Sequence, residues 1–418
     1  MAETLLIVGA GVEQVRAYRL AKEMGLRVVG TDMDPGAPAF EYADERIIAS
    51  TRDVDETLRE VRRYASSHPV DGVMTLANDV PLTVAAVAAE LGLPGIPVES
   101  AALAADKAAM KRRFEEAGVA TPEFMEPGSA ADLDAAARRL GLPFVLKPAD
   151  GRGARGVLLV GDDTDREWAW RTSLSFSQGG RLMAERFVRG RQISTESVVL
   201  GGRCLTPAFS DRNYEYLERY APFVIENGGT MPALLTDGER RRIGDLVEGA
   251  ARALGVDDCT VKGDIVLDEE RGGEPLVIEL ALRLSGGYFA TDQIPESVGV
   301  DLVALSIRLA LGRKDGIGED ECLPRFERGA AIRFFFPPPG RIVSMEGADG
   351  LSTMAGVRLW GIYRRAGDVQ PPIRSHADRA GFVLAGGATR REAVRNVERA
   401  MESVKFRVEP LKEDERGC

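Results

Sequence analysis

Val261-Lys262-Gly263-Asp264-Ile265-Val266-Leu267 and Pro275-Leu276-Val277-Ile278-Glu279-Leu280 are two apolar runs separated by a polar stretch, Glu269–Gly273. Together they predict a β-hairpin, with strands over Val261–Asp268 and Pro275–Leu280. A hairpin requires antiparallel neighbours, so this part of the chain is α+β in character. Each run holds one acid, Asp264 and Glu279, placed so that both point the same way from adjacent strands. Two half-buried carboxylates repel unless something positive sits between them. A Mg²⁺ ion carrying nucleotide phosphates is the economical answer. Arg283, four residues after Glu279, then faces the transferring phosphoryl group, and Ser285-Gly286-Gly287 follows as a backbone anion nest. The alternative is a structural ion pair of Arg283 with one of the acids.

Upstream, Pro143–Pro148 reads as a strand that ends at the glycine loop Gly151-Arg152-Gly153-Ala154-Arg155-Gly156, and Val157–Val160 as the next strand. The loop matches the pattern of a dinucleotide fingerprint, but a strand follows it where a helix belongs. A glycine loop between two strands folds over phosphates instead, donating backbone amides from Gly151, Gly153 and Gly156, with Arg152 and Arg155 adding charge. Lys147, at the end of the apolar strand, is then a phosphate clamp; its bland reading is a surface strand end. Met183-Ala184-Glu185-Arg186-Phe187-Val188 is a strand running into a hinge, which offers backbone groups and the Glu185 carboxylate to an adenine edge. Glu185 also suits an ordinary solvated strand. Ile193–Leu200 is a further strand, and Gly238–Leu254 and Val300–Leu311 are helices.

The N-terminal hundred residues alternate strand and helix: Thr4–Val8, Val12–Met24, Arg27–Thr31, Val54–Ser66, Gly72–Leu76, Val80–Leu91. That alternation predicts a parallel sheet in a Rossmann-like α/β domain. Gly9-Ala10-Gly11-Val12-Glu13-Gln14 follows the first strand, with Gln14 where a third glycine belongs, and Asp32 ends the second strand. A dinucleotide site, a tight βα turn, and a helix N-terminus holding a substrate anion all fit it. Ala101–Ala117 is expected to be one helix. From about Pro324 the chain carries strands at Gly329–Phe336, a proline corner at Pro337–Pro339, and a helix at Arg390–Val404 with Thr389 and Glu392 as a capping box. Phe334–Phe336 is expected in the core.

Composition bounds the function. The 418 residues suit two or three domains. Fifty-four basic against sixty-five acidic residues give −11, without a basic stripe, so a nucleic-acid partner is not expected. The four cysteines, at 204, 259, 322 and 418, form no CxxC pair, which suggests a reducing, cytoplasmic setting. Residues 1–15 lack the pattern of a signal peptide, and no apolar run approaches the ~18 residues of a membrane span. With only His68 and His376, a multi-histidine metal site is excluded, and no G-x-S-x-G elbow accompanies either.

In order and spacing, the GAGxxQ turn, Asp106-Lys107, the Lys147-Pro148 glycine loop and Glu279-x-x-x-Arg283 resemble the ATP-grasp superfamily, in its carboxylate–amine ligase branch. The C-terminal Asp378-Arg379-Ala380-Gly381 is similar to that family's small closing domain. The resemblance implies a Rossmann-like domain over residues 1–100, an ATP-grasp domain over 101–324 with a lid over about 118–188, and a closing α+β domain over 325–418. It implies that Lys107 and Lys147 contact ATP phosphates, that Glu185 meets the adenine with Phe187 or Val188 as hinge, and that Gln192 lies near the ribose. Asp264 and Glu279 would bind Mg²⁺ or Mn²⁺, and Arg283 would stabilise the transition state of acyl-phosphate formation. Small-molecule carboxylate and amine substrates follow from the same resemblance; it leaves the oligomeric state open, a homodimer being one common arrangement in the family. Two positions depart from the family: Ala281 stands where an Asn is usual, and Gln192 where many members have Glu. The substrate region is expected in Pro207–Pro232, with Arg212, or Arg283 with Ser285, Gly286 and Gly287, holding a carboxylate. Two other classes stay in view. A nicotinamide-dependent oxidoreductase would use the first domain, and a non-catalytic ATP-binding regulator would bind nucleotide without turnover.

Overall fold

The computed structural model describes residues 2–411, so Cys418 lies outside the described residues. Two compact units emerge. The first runs up to Thr121 and takes in Ile193–Phe209 and Leu235–Arg325. Its N-terminal part is the expected parallel sheet, in the order Glu45–Ile48, Arg27–Asp32, Thr4–Val8, Gly72–Met74. Every residue of Thr4–Val8 is buried, as befits a central parallel strand covered on both faces. Helices Val15–Glu23, Val54–Ala65 and Pro81–Leu91 follow. Asp53 starts the second of these by accepting from the Glu56 amide at 2.9 Å.

The helix expected over Ala101–Ala117 is two helices, Val98–Ala105 and Lys107–Glu116. Asp106 breaks them: its backbone is extended, and its carboxylate accepts from the amides of Ala108 and Ala109 at 3.0 Å each. Capping a new helix satisfies amides that a continuous helix would have bonded internally. The break places Lys107 in the first turn of the second helix.

The hairpin forms as expected, with Cys259–Asp268 antiparallel to Glu274–Ala281 and Asp264 directly opposite Glu279. Helix Asp237–Ala253 opens with a full capping box of Thr236 and Glu239, and helix Leu302–Ala310 with Asp301. Strand Gln192–Leu200 lies beside the hairpin, followed by Arg203–Asn213.

The second unit comprises 122–192, 210–234 and the chain from Phe326. One antiparallel sheet has the order Phe124–Met125, Leu182–Arg186, Phe144–Pro148, Leu158–Val160. Helices Asp132–Leu140 and Arg166–Leu174 cover it, burying Leu133, Ala136, Leu140, Phe144, Leu146 and Ala169 in one core. A second sheet pairs Gly340–Glu346 with Val369–Gln370 and Lys405–Glu409, and a third runs from the end of Arg203–Asn213 through Gly228–Met231, Gly329–Phe335 and Gly381–Gly387 to Val357–Ile362. Gly228 is required there, because a Cβ would run into the Ile332 carbonyl. Helix Arg390–Ser403 packs on this sheet through Ala393, Val397 and Ala400. Half of its expected capping box is present. Thr389 accepts from the Glu392 amide, but the Glu392 carboxylate accepts from the Ala388 amide, one residue earlier than expected. Phe334 and Phe335 are core residues.

No helix among the described residues is long and apolar enough to cross a membrane. Cys204, Cys259 and Cys322 are free thiols.

Candidate active site

In the first unit the register of the hairpin faces Asp264 and Glu279 across two strands. Each acid meets a lysine. Lys262 pairs with Asp264, and Lys107 Nζ lies 3.3 Å from Glu279 Oε1. Ser194 Oγ donates to the other Asp264 oxygen at 3.2 Å. Among the described residues no group of three or more His, Cys, Asp or Glu is arranged to hold a metal ion. Two opposed carboxylates, lacking an Asn at Ala281, nevertheless fit Mg²⁺, which takes one or two carboxylates and fills its octahedron with phosphate oxygens and water. The two lysines supply positive charge beside the two acids.

Arg283 does not pair with either hairpin acid. Its Nε donates to Asp79 Oδ1 at 2.8 Å, and its Nη2 meets the same oxygen. Burial works against the guanidinium charge. Asp79, with Glu196 and Glu279 nearby, outweighs it and holds Arg283 above the ordinary range, so it stays a fixed cation.

Two of the amides in Ser285-Gly286-Gly287 are taken by the protein's own carboxylates. The Ser285 amide donates to Glu196 Oε1 at 2.8 Å, the Ser285 hydroxyl donates to the same oxygen, and the Gly287 amide donates to Glu13 Oε1 at 2.7 Å. Glu196 is fully buried, and its Oε2 has no partner among the described residues. Burial pushes its carboxyl up to about 7, against the pull of Ser285, Arg283 and Lys262. Unfolded, that carboxyl ionises near 4.5. The folded state therefore binds more protons between about 4.5 and 7. The stabilisation is complete below 4.5 and is lost as pH rises through 7, on the order of 3 kcal/mol in all. Thermal melts of the wild type should lose stability between those pH values by more than melts of Glu196→Gln. Parallel pH profiles would refute the assignment.

The N-terminal turn is held by its own side chains. Gln14, in place of the third glycine, is buried and donates to the Leu76 carbonyl. Asp32 accepts from the Ala10 and Asp34 amides at 2.9 and 3.0 Å. Asp32, which suggested a ribose contact, and Gln14, which interrupts the glycine pattern, are thus both used by the turn itself. A 3₁₀ segment, Val12–Gln14, precedes helix Val15–Glu23.

In the second unit Lys147 and Glu185 lie on paired strands and form a buried ion pair, Nζ to Oε1 3.1 Å. The glycine loop joins Phe144–Pro148 to Leu158–Val160, the expected strand–loop–strand. Gly153 (φ +59°) and Gly156 (φ +70°) take the left-handed conformation that glycine tolerates, and Ala154 shares it. Phe187 and Val188 follow Leu182–Arg186 in the hinge, and Gln192 begins the next strand. Arg212 pairs with Glu226 at 2.9 Å.

Asp79, Glu13, Glu196, Lys262 and Ser194 were not singled out from the sequence. Two signals were available. Glu196 is an acid inside the apolar run Ile193–Leu200, the same signature that marked Asp264 and Glu279. Asp79 lies just beyond the C-terminal end of a parallel strand, where α/β sheets place ligands.

The chain matches the family model of the ATP-grasp N-terminal domain over residues 18–95 and that of the ATP-grasp domain over 104–287. A third model, L-amino acid ligase C-terminal domain 2, matches 333–409. The uncharacterized protein y4rH of Sinorhizobium fredii is 27% identical over 98% of this chain and 84% of its own length. The D-alanine–D-alanine ligase of Bordetella avium is 28% identical over 59% of this chain and 74% of its own. The crystal structure of an L-amino acid ligase from Bacillus licheniformis superposes with a TM-score of 0.83 at 24% identity, covering 97% of this chain and 99% of that one. That last likeness is one of fold.

Proposed function

The chain belongs to the ATP-grasp superfamily and is one of its ligases, and from that premise we propose that it joins a small-molecule carboxylate to an amine through an acyl phosphate. The observation that carries this reading is the register of the hairpin, Asp264 directly opposite Glu279, with Arg283 on the chain just beyond. In this account residues 1–100, 101–324 and 325–418 are the N-terminal, ATP-grasp and closing domains.

A substrate carboxylate oxygen attacks the γ-phosphorus of ATP, and the bond from that phosphorus to the bridging oxygen breaks, releasing ADP. The amine then attacks the acyl carbon. Phosphate leaves with one oxygen of the original carboxylate, and the nitrogen loses a proton to give the amide. Mg²⁺ or Mn²⁺, held by Asp264 and Glu279, would neutralise phosphate charge. Lys107 and Lys147 bind phosphate oxygens, and the 151–156 loop donates backbone amides to them. Glu185, Phe187, Val188 and Gln192 orient the nucleoside. Arg283, held as a cation by Asp79, stabilises charge on the phosphoryl oxygens as they transfer. Arg283 and the Gly286 amide orient the carboxylate, in a turn that the Ser285 and Gly287 amides brace by bonding Glu196 and Glu13. No step requires a histidine, because phosphoryl transfer of this kind is positioning and charge neutralisation.

Mg²⁺-dependent phosphate release from ATP, screened against paired pools of amino acids and small carboxylates, tests this. Release with one acid–amine pair is expected. ATP binding without release from any pool would favour the regulatory alternative.

A further inference from the structure

The hairpin carries a basic residue to which the ligase chemistry has given no task. Side chains two apart on a strand share a face. Asp264 stands opposite Glu279, and Lys262 stands opposite Ala281, so the four project from one face as two cross-strand pairs. Directly opposed residues of an antiparallel ladder have Cβ atoms about 5 Å apart. One pair supplies two carboxylates. The other supplies an ammonium and a methyl group.

Lys262 bonds Asp264 from the same strand. Their side chains are 15% and 13% exposed, so water screens them poorly. Ser194 Oγ holds the other Asp264 oxygen at 3.2 Å. Lys262 also bears on the Arg283 end of the hairpin. Its cross-strand partner Ala281 lies two residues before Arg283, and both cations pull on the buried Glu196 carboxyl. The ammonium is thus close at once to Asp264 and to the residues around Arg283.

Phosphoryl-transfer sites often hold two cations, about 3.5–4 Å apart, that share the charge of the attacking and leaving oxygens. A second divalent ion here would need oxygen ligands beyond the two acids. Ala281, the remaining position of the four, has no donor atom. Such an ion would also meet the Lys262 ammonium, already seated on Asp264.

We propose that Lys262 is a further catalytic residue: its ammonium, fixed by Asp264, contacts the transferring phosphoryl group and takes the part of a second cation, so that the site works with one divalent ion per nucleotide. The ammonium donates hydrogen bonds to phosphoryl oxygens and gives up no proton. This deepens the ligase reading and rests on it for the reacting group, but the cation count is tested by binding.

The full chain, with an equal amount of a non-hydrolysable ATP analogue, is titrated with Mn²⁺, and bound ions are counted by electron paramagnetic resonance. The wild type should hold one Mn²⁺ per chain, with the spectrum of an isolated ion. Lys262→Met combined with Ala281→Asn removes the ammonium and adds an oxygen ligand. That double variant should hold two, and ions about 4 Å apart broaden each other's signal. With an active acid–amine pair, Lys262→Met should lower kcat by about 10²-fold and move the KM for ATP far less, the mark of a charge that acts in the transition state. Lys262→Arg keeps the charge and should recover about tenfold of that loss. A lysine that only neutralised Asp264 would shift the melting temperature in Lys262→Met and leave kcat within about twofold. Two Mn²⁺ in the wild type, an equal count in the wild type and the double variant, or near wild-type turnover in Lys262→Met overturns the proposal and leaves the ligase standing. Should the variants fail to fold, the wild-type count still decides against the proposal if it is two. One ion in the wild type and two in the double variant, without phosphate release from any acid–amine pair, would uphold the cation count and sink the ligase reading.

Discussion

Glu279→Gln is expected to lower kcat by about 10³-fold, the equivalent of roughly 4 kcal/mol of transition-state stabilisation. Glutamine matches the carboxylate in shape and hydrogen-bonding reach but lacks its charge. In the proposed site that charge holds the cation whose task is to neutralise transferring phosphate. The fold should survive. Glu279 is partly exposed, and its pairing with Lys107 at 3.3 Å is of the kind worth about 1 kcal/mol or less to stability. Circular-dichroism melts should therefore nearly superimpose while turnover collapses. Asp264→Asn, on the opposed strand, should behave alike. Turnover near the wild-type level in Glu279→Gln would remove the metal assignment, and with it the reason for placing two acids face to face.

Lys147→Met is expected to damage both stability and nucleotide binding. Lys147 and Glu185 are 6% and 5% exposed, so the pair is effectively out of water. Removing the lysine leaves a carboxylate buried without its main counter-charge, a loss of about 3–5 kcal/mol. Glu185→Leu on its own should cost a comparable amount by stranding the ammonium. The double substitution Lys147→Met with Glu185→Leu should recover most of the stability, since two apolar side chains replace the pair, yet bind ATP no better than Lys147→Met. Denaturant titrations give the first comparison and nucleotide titrations the second. If the double variant regained ATP affinity, Lys147 would have only a structural role.

Much of the fold is written locally, and the parts that are not have identifiable causes. Thr4–Val8 has the same bounds in sequence pattern and structure, and the hairpin strands agree to within two residues. Each is an apolar run bounded by polar or glycine-rich turns, so the local signal and the burial coincide. The strand Glu45–Ile48 was invisible because it is short and only Ile47 is buried. The long strand Arg203–Asn213 was obscured by Pro207 and by the polar end Ser210–Asn213, so the segment read as a substrate loop. Its polar residues are bound to their neighbours, Asp211 to Arg191 and Arg212 to Glu226. The break at Asp106 was hidden by helical periodicity continuing on both sides; only the cap decided it.

The site divides in the same way. Asp264 and Glu279 come together as the hairpin pattern suggested, and Lys107, named only through the resemblance, lies beside Glu279. The pairing of Arg283 with Asp79 joins residues more than two hundred positions apart, and the seating of Glu13 on the Gly287 amide spans a longer interval still. No local pattern carries partnerships of that range. They arise from the bridge between Leu76 and Leu284, which brings the end of the hairpin against the N-terminal sheet.

The most direct test of the central claim follows the carboxylate oxygens through the reaction. With an acid substrate labelled with heavy oxygen at its carboxylate, and with Mg·ATP and the amine, the released phosphate should carry one labelled oxygen and the nucleotide product should be ADP. That result requires an acyl phosphate. Unlabelled phosphate, or AMP with pyrophosphate, would contradict the account.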